Sequence, residues 1–365
     1  MVPFALNRRA LAYGRKPALV ALALLVAVLS GAGGTAHGQA TQGVHSALDR
    51  PAVSVLAPQR AVLLGAALAG ERVVAVGERG IVALSDDAGH HWRQSPTPTS
   101  VTLTAVRFLD AKRGWAIGHG GVVLASVDGG ERWTRQLDGR RAAQIALDAA
   151  RSSGDARRVA DAERLVADGP DKPFLDLVID EKRVLVVGAY GLALASLDGG
   201  LSWSSWTARL PNPKGLHIYA ARQRADTLLL AGEQGLVLIS QDGGQTFKPV
   251  QTPYKGSFFA AELLAEPASM LLAGLRGNAI RSRDGGASWT PIASPAPVSI
   301  TATAIDAQGQ VLATNQAGLL MSLKGEQLVP LNAAPLPPLN NLLVQGDGSI
   351  LTLSIQGALL VSAKP

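Results

Sequence analysis

After residue 50 the chain alternates short apolar runs with polar turns rich in glycine, and the runs are of strand length rather than helix length. Leu192-Ala193-Leu194-Ala195 is typical. A G-x-x-G turn stands before it at Gly188 to Gly191, and the same turn occurs at Gly77 to Gly80, Gly118 to Gly121, Gly232 to Gly235 and Gly274 to Gly277. Behind the run comes Ser196-Leu197-Asp198-Gly199-Gly200-Leu201-Ser202-Trp203. Copies of this S-x-D-G-G-x-x-W pattern lie at Ser126 to Trp133, Ser240 to Phe247 and Ser282 to Trp289. A looser one lies at Ser85 to Trp92, where Asp87, Ala88 and Gly89 replace Asp-Gly-Gly. Each unit therefore reads strand, G-x-x-G turn, strand, Asp-box turn, strand.

The box has a mechanical reading. Its carboxylate accepts hydrogen bonds from the N–H groups that follow, its glycines permit positive φ, and its aromatic pins the returning strand to the sheet. With the box serine as register, Ser85, Ser126, Ser196, Ser240, Ser282 and degenerate copies at Ser322 and Ser362 are spaced by 41, 70, 44, 42, 40 and 40 residues. A period near 42 with about four strands per unit predicts a β-propeller blade, and the count predicts seven blades. The fold class is thus all-β: a seven-bladed β-propeller with Asp-box turns, one domain over 41–365. Blade seven would stop at its third strand, so the β-type run Pro51-Ala52-Val53-Ser54-Val55-Leu56, within 50–58, is expected to supply the missing strand and close the ring.

The 70-residue step holds an insertion, 139–171, between blades two and three. Ala142, Ile145, Ala146 and Ala149, then Val159, Ala162, Leu165 and Val166, fall at helical spacing, with Asp155 as an N-cap and Gly169 as a stop. A short helical hairpin is expected, either filling a gap or docking a partner.

Strand order places the Asp-box turns on one face and the G-x-x-G turns, the blade-to-blade loops and the insertion on the other. The second face is the one expected to work. Its partner-binding candidates are Arg79, His119, Tyr190, Glu233 and Arg276, with Arg281 and Arg283 on the following strand or turn completing a basic patch for an acidic peptide or tail.

Catalytic chemistry is not expected. A sialidase-like site needs an arginine triad, a Tyr/Glu pair and an acid Asp, while beyond the leader the tyrosines are Tyr190, Tyr219 and Tyr254. The best-placed carboxylates, Glu78 and Glu233, would lie nearly across the ring, beyond the roughly 5 to 10 Å of a glycosidase pair. His45, His90, His91, His119 and His217 show no metal-ligand spacing. No cofactor, metal, nucleic acid or small-molecule substrate is expected, and the protein alone is read as a monomer. A glycan-binding or glycan-cleaving propeller remains the alternative; it should show a narrow polar pocket with paired acids at the channel, whereas a scaffold should show a broad face dominated by Arg79, Arg276 and the insertion.

Residues 1–40 combine Arg8, Arg9, Arg15 and Lys16, the apolar Ala18 to Leu29 and a small-residue exit ending at Gly38-Gln39-Ala40. This predicts a signal peptide cleaved after Ala40 or Gly38 and a periplasmic product; an uncleaved anchor is the alternative, although the apolar stretch is short for a span of about 20 residues. Asn7-Arg8-Arg9-Ala10-Leu11 is a loose twin-arginine pattern beside ordinary Sec export. The formal charge of +6 includes four leader cations, leaving +2 for the remainder, so it points to no nucleic-acid partner. The chain has no cysteine, which excludes disulfides, a lipoprotein anchor and thiolate metal sites.

The G-x-x-G and Asp-box repeats, together with Gly169-Pro170-Asp171-Lys172-Pro173-Phe174-Leu175-Asp176 and Asn212-Pro213-Lys214-Gly215-Leu216-His217, resemble the photosystem II stability/assembly factor-like proteins, which are seven-bladed BNR propellers. The resemblance spans about residues 50 to 365. It implies a non-enzymatic assembly factor that holds a membrane-protein subunit through an arginine-rich face. The Ala-rich insertion departs from the photosynthetic pattern and resembles non-photosynthetic members, which are associated with RND-type exporters and other envelope proteins.

Overall fold

The computed structural model describes residues 46–361; the expected leader and its cleavage positions, and the degenerate box at Ser362, lie outside the described residues. Those described form seven antiparallel sheets, six of four strands and one of three. They are the blades of a propeller. Blade 1 comprises Leu63–Ala69, Arg72–Gly77, Val82–Ser85 and Arg93–Ser95, counted from the inside outwards. The inner strands of the later blades are Leu103–Phe108, Phe174–Asp180, Ile218–Arg224, Phe258–Leu263, Ile300–Ile305 and Leu339–Val344. Each lies against the inner strands of its two neighbours, and that of blade 7 lies against that of blade 1. The core is a series of apolar layers between adjacent blades, such as Val74, Leu84, Leu103, Val106 and Leu124 between blades 1 and 2.

The two repeated turns explain the period. A Cβ on the first glycine of a G-x-x-G turn would stand 2.0 Å from a backbone oxygen, that of Val62, at Gly77, and 2.2 Å from that of Pro173 at Gly188. The residue after it donates its N–H to that same carbonyl, at 2.9 Å for Glu78 and 3.0 Å for Ala189. In the Asp box the serine matters as much as the aspartate. Ser196 Oγ donates to Asp198 Oδ1 (2.8 Å) and accepts from the Gly200 N–H (2.7 Å), while the Ser202 N–H donates to Asp198 Oδ1 (2.9 Å). The set recurs from Ser85, Ser126, Ser240 and Ser282. Blade 6 manages without a box: Lys324 and Gln327 pair directly across a tight turn with Gly325 at φ 61°.

These bonds set a pH dependence. The Ser202 hydroxyl and then its N–H hold the Asp198 carboxyl down at about 2, and Ser288 holds Asp284 at about 2 in the same way. The His91 N–H and Thr246 lower Asp87 and Asp242 further. The unfolded carboxyls titrate near about 3.9. The boxes therefore contribute stability that is complete above that pH and is lost as the pH falls through the folded values. Denaturation midpoints measured between about pH 5 and pH 2 should fall steeply for the wild type and less steeply for the D198N/D284N double variant. Parallel curves would show that the boxes are not the acid-sensitive element.

The expected closing strand is corrected. Pro51 to Leu56 forms no strand and runs beside the outer strand of blade 1: the Ala52 N–H donates to the Thr97 carbonyl (3.2 Å), and the Gln94 side chain bridges the Val53 carbonyl (3.0 Å) and the Val55 N–H (2.8 Å). Blade 7 keeps three strands, Leu339–Val344, Ile350–Ser354 and Gly357–Val361. The reason is local. Pro58–Arg60 makes a turn of 3-10 helix against Gly357–Val361, where a Cβ on Gly357 would meet the Gln59 carbonyl at 1.9 Å, and the segment before it is directed to blade 1. Side chains close the ring instead. Asn340 Nδ2 donates to the Leu63 carbonyl and Asn341 Nδ2 to the Leu64 carbonyl, both at 2.9 Å, and Gln345 Nε2 donates to the Ala88 carbonyl at 3.0 Å. Leu63, Val73, Ala83, Leu351 and Leu353 bury the apolar side of the seam.

The insertion is a hairpin of two helices, α1 (Gly139–Ser153) and α2 (Ala156–Asp168). Asp138 and Asp155 cap them by accepting from the two N–H groups that follow the first helical residue. The apolar face of α1 differs from the expected one: Ala142, Ala143, Leu147 and Ala150 are buried and Ala149 is exposed. Two packings account for this. Ala142 and Ile145 face the blades, while Leu147 and Ala150 meet Val159 and Ala162 of α2. On α2, Val166 is exposed.

Candidate functional site

Every inner strand slips by one residue at the same point. In blade 1, Leu63 pairs with Gly77 and Gly65 with Val76, which leaves Leu64 without a partner in the ladder. The same slip leaves out Thr104, Leu175, Tyr219, Phe259, Thr301 and Asn340. A bulge redirects the extra side chain. All seven line one central channel of about 500 Å³, at the end where the G-x-x-G turns lie.

Deeper in the channel, the third residue past the bulge is Arg107 in blade 2, Arg222 in blade 4 and Glu262 in blade 5. Asp176 of blade 3 accepts from Arg222 Nη1 (2.7 Å), Arg107 Nη2 (3.2 Å) and the N–H groups of Leu177 (2.9 Å) and Ala221 (3.0 Å). Glu262 Oε1 accepts from Thr303 Oγ1 (2.8 Å) and Arg222 Nε (3.4 Å). Burial pushes the Glu262 carboxyl up, with Arg222 opposing it. Burial works against the Arg222 charge, but Glu262 and Asp176 outweigh it and raise its pKa; for Arg107 burial prevails and lowers it. Two cations and two anions thus stand together in the channel wall.

An aromatic row leads out of the channel. Phe259 and Tyr219 meet edge to face with centroids 5.3 Å apart, Tyr219 meets His217 at 6.0 Å, and His217 meets Tyr190 at 5.0 Å. Lys172 Nζ lies 5.0 Å from the Tyr190 ring centre, so the row runs from blade 5 to the end of the insertion. Tyr190 is 57% exposed. It sits at the apex of its G-x-x-G turn with φ 57°, and Arg79, Gln234 and Arg276 hold the matching positions at 53°, 52° and 57°. In blade 2 that position is Gly120. Each non-glycine residue there carries roughly 1–2 kcal/mol of backbone strain. Four side chains are therefore displayed at an energetic cost that glycine would avoid. Replacing Arg276 by glycine should raise stability by about 1 kcal/mol in a denaturant titration; a loss would mean that its side chain makes a contact the fold needs.

The sequence candidates divide. Arg79, His119, Tyr190, Glu233 and Arg276 are all in G-x-x-G turns on the channel-mouth face. Glu233 is engaged structurally, accepting from the His217 N–H at 3.1 Å, just as Glu78 accepts from Val62 N–H at 3.1 Å. Arg281 and Arg283 belong to the other rim: Arg281 Nη2 pairs with Glu266 (3.0 Å) in the turn joining the first two strands of blade 5, and Arg283 is inside the box turn. The four-arginine patch is thus split between faces, because the third strand carries the chain across the blade before residue 281. Sequence reading did not name Arg107, Lys172, Asp176, His217, Tyr219, Arg222, Phe259 or Glu262 as site residues.

No protein-family model matches the chain, and no curated protein matches it by sequence. Solved structures do match. YCF48 from Cyanidioschyzon merolae is similar with a TM-score of 0.61 and 17% identity, over 83% of this chain and 96% of its own. A structure described as YCF48 bound to D1 peptide gives 0.61 and 14%, over 87% and 100%. The WD40 β-propeller domain of Doa1 gives 0.61 and 10%, over 87% and 97%. At these identities the likeness establishes the propeller fold.

Proposed function

We propose that this is an exported, non-enzymatic propeller that holds a segment of another protein across its channel-mouth face, in the assembly, stability or function of a cell-envelope membrane complex. An RND-type exporter is the partner class that the sequence resemblance suggests. The observation that carries the reading is the row Lys172, Tyr190, His217, Tyr219 and Phe259, exposed at Tyr190 and half-buried elsewhere, which spans three blades and reaches the insertion. Exposed aromatics next to a cation are typical anchors of protein interfaces. A propeller of similar fold has been solved with a peptide bound, which supports a peptide-holding role for this one. Catalysis is not part of the proposal: Asp176 and Glu262 share Arg222, and Asp176 has four donors already.

In-cell cross-linking followed by capture tests this reading. The wild type should bring down an envelope membrane protein, and the Y190A/H217A variant should lose most of it, since an interface tyrosine is worth about 2 kcal/mol or more. A variant without residues 140–171 should capture less if the insertion joins the contact. Equal capture by the wild type and Y190A/H217A would remove the row from the interface and sink the proposal.

A further inference from the structure

The channel has a chemistry of its own and shares only Tyr219 and Phe259 with the row that faces a partner. Its volume of about 500 Å³ is in the range of small-molecule sites. The charges in its wall balance, Arg107 and Arg222 against Asp176 and Glu262, so neither an anion nor a cation finds an uncompensated counter-charge. Yet hydrogen-bonding capacity is left over. Glu262 receives both of its donors on Oε1, and among the described residues Oε2 has none. Arg107 donates to the Val106 carbonyl and Asp176, leaving its Nε–H without an acceptor among the described residues. Thr104 and Thr301 donate to the Phe174 and Thr314 carbonyls, so their oxygens remain able to accept. Above these groups, Tyr219 and Phe259 present aromatic surface on one side of the mouth only.

We propose that the channel binds a neutral mono- or disaccharide, with one ring face against Tyr219 and Phe259 and hydroxyls directed to Glu262, Arg107 and the threonines. A hydroxyl both donates and accepts, so it can bridge the Glu262 oxygen and the Arg107 N–H without breaking either ion pair. A carboxylate ligand would confront Glu262, and an ammonium ligand would confront the two arginines. A sugar ring also has an apolar C–H face that fits an aromatic wall, which a purely polar ligand lacks. The sequence offered a glycan-binding propeller only as the alternative to a protein scaffold and named none of Arg107, Glu262, Phe259 or the threonines for it; the channel supplies those residues.

Titration calorimetry and saturation-transfer NMR with cellobiose, maltose, lactose and N,N′-diacetylchitobiose test it on the exported chain. At least one of these probes should bind with a Kd of about 1 mM or tighter. Tyr219→Ala and Phe259→Ala should each weaken it roughly tenfold, Tyr219→Phe should largely retain it, and Leu201→Ala, exposed in a box turn on the opposite rim, should leave it unchanged. Circular dichroism and melting keep a folding failure distinct from a binding failure. If none of the four sugars binds at about 10 mM, or if binding persists undiminished in both channel variants, the proposal is overturned.

Discussion

Replacing Arg222 by methionine should cost about 3–5 kcal/mol of stability at neutral pH, the largest loss expected from any single polar substitution in this protein. The guanidinium joins Asp176 and Glu262 inside the channel, and its removal leaves Glu262 with Thr303 as its side-chain donor. A carboxylate that burial already pushes up then loses the group that opposed the shift. The sign follows. A carboxyl with a raised folded pKa destabilises the fold most when ionised in both states, so the cost of Arg222→Met should be largest at high pH and shrink as the pH falls. The double variant Arg222→Met, Glu262→Met should recover part of the loss, since replacing a buried pair by apolar residues is often close to neutral. Guanidinium-chloride midpoints across pH measure all three quantities. A loss independent of pH, with no recovery in the double variant, would mean that Arg222 acts by packing its stem rather than by charge.

The second large effect belongs to the box tryptophans. Trp133→Ala should cost about 3–5 kcal/mol. Its ring is buried in the layer between blades 1 and 2, meets Phe108 at 6.0 Å, and donates Nε1–H to the Gly130 carbonyl at 3.0 Å. Trp203 repeats the arrangement between blades 2 and 3. Trp289 does not: it is half-buried and donates to the Gln251 carbonyl of the preceding blade rather than to its own box. Trp289→Ala should therefore cost clearly less than Trp133→Ala in the same denaturant titration. Equal losses would show that neither the box bond, which Trp289 lacks, nor the depth of burial sets the cost.

The ease with which the fold was read, and the difficulty with the site, have one cause. A box or a G-x-x-G turn is local: serine, aspartate and glycines a few residues apart satisfy one another, so the signal repeats wherever the turn repeats. Seven blades, the insertion and the two faces follow from that spacing. The channel is non-local. Asp176, Arg222, Glu262 and Thr303 come from four inner strands, and nothing next to any of them in sequence indicates that they meet. A signal did exist in register: Leu103-Thr104-Ala105-Val106-Arg107, Ile218-Tyr219-Ala220-Ala221-Arg222 and Phe258-Phe259-Ala260-Ala261-Glu262 place a charge at the same step of otherwise apolar strands. Aligning inner strands, rather than boxes, would have found it. The closing strand failed for another reason. Pro51 to Leu56 has β-type composition, but composition does not say which edge a segment follows, and the Gln94 side chain and the Pro58–Arg60 turn decide that.

That seam has a temporal consequence. The contacts of Asn340 and Asn341 with the first inner strand join residues 277 apart, so they cannot form until almost the whole chain has been delivered. Until then the first blade waits with one flank bare, and the last blade arrives with no borrowed strand to draw it in. The circle is completed by three amides and a patch of leucines, contacts of such sequence separation that closing the ring carries a large loop-closure cost.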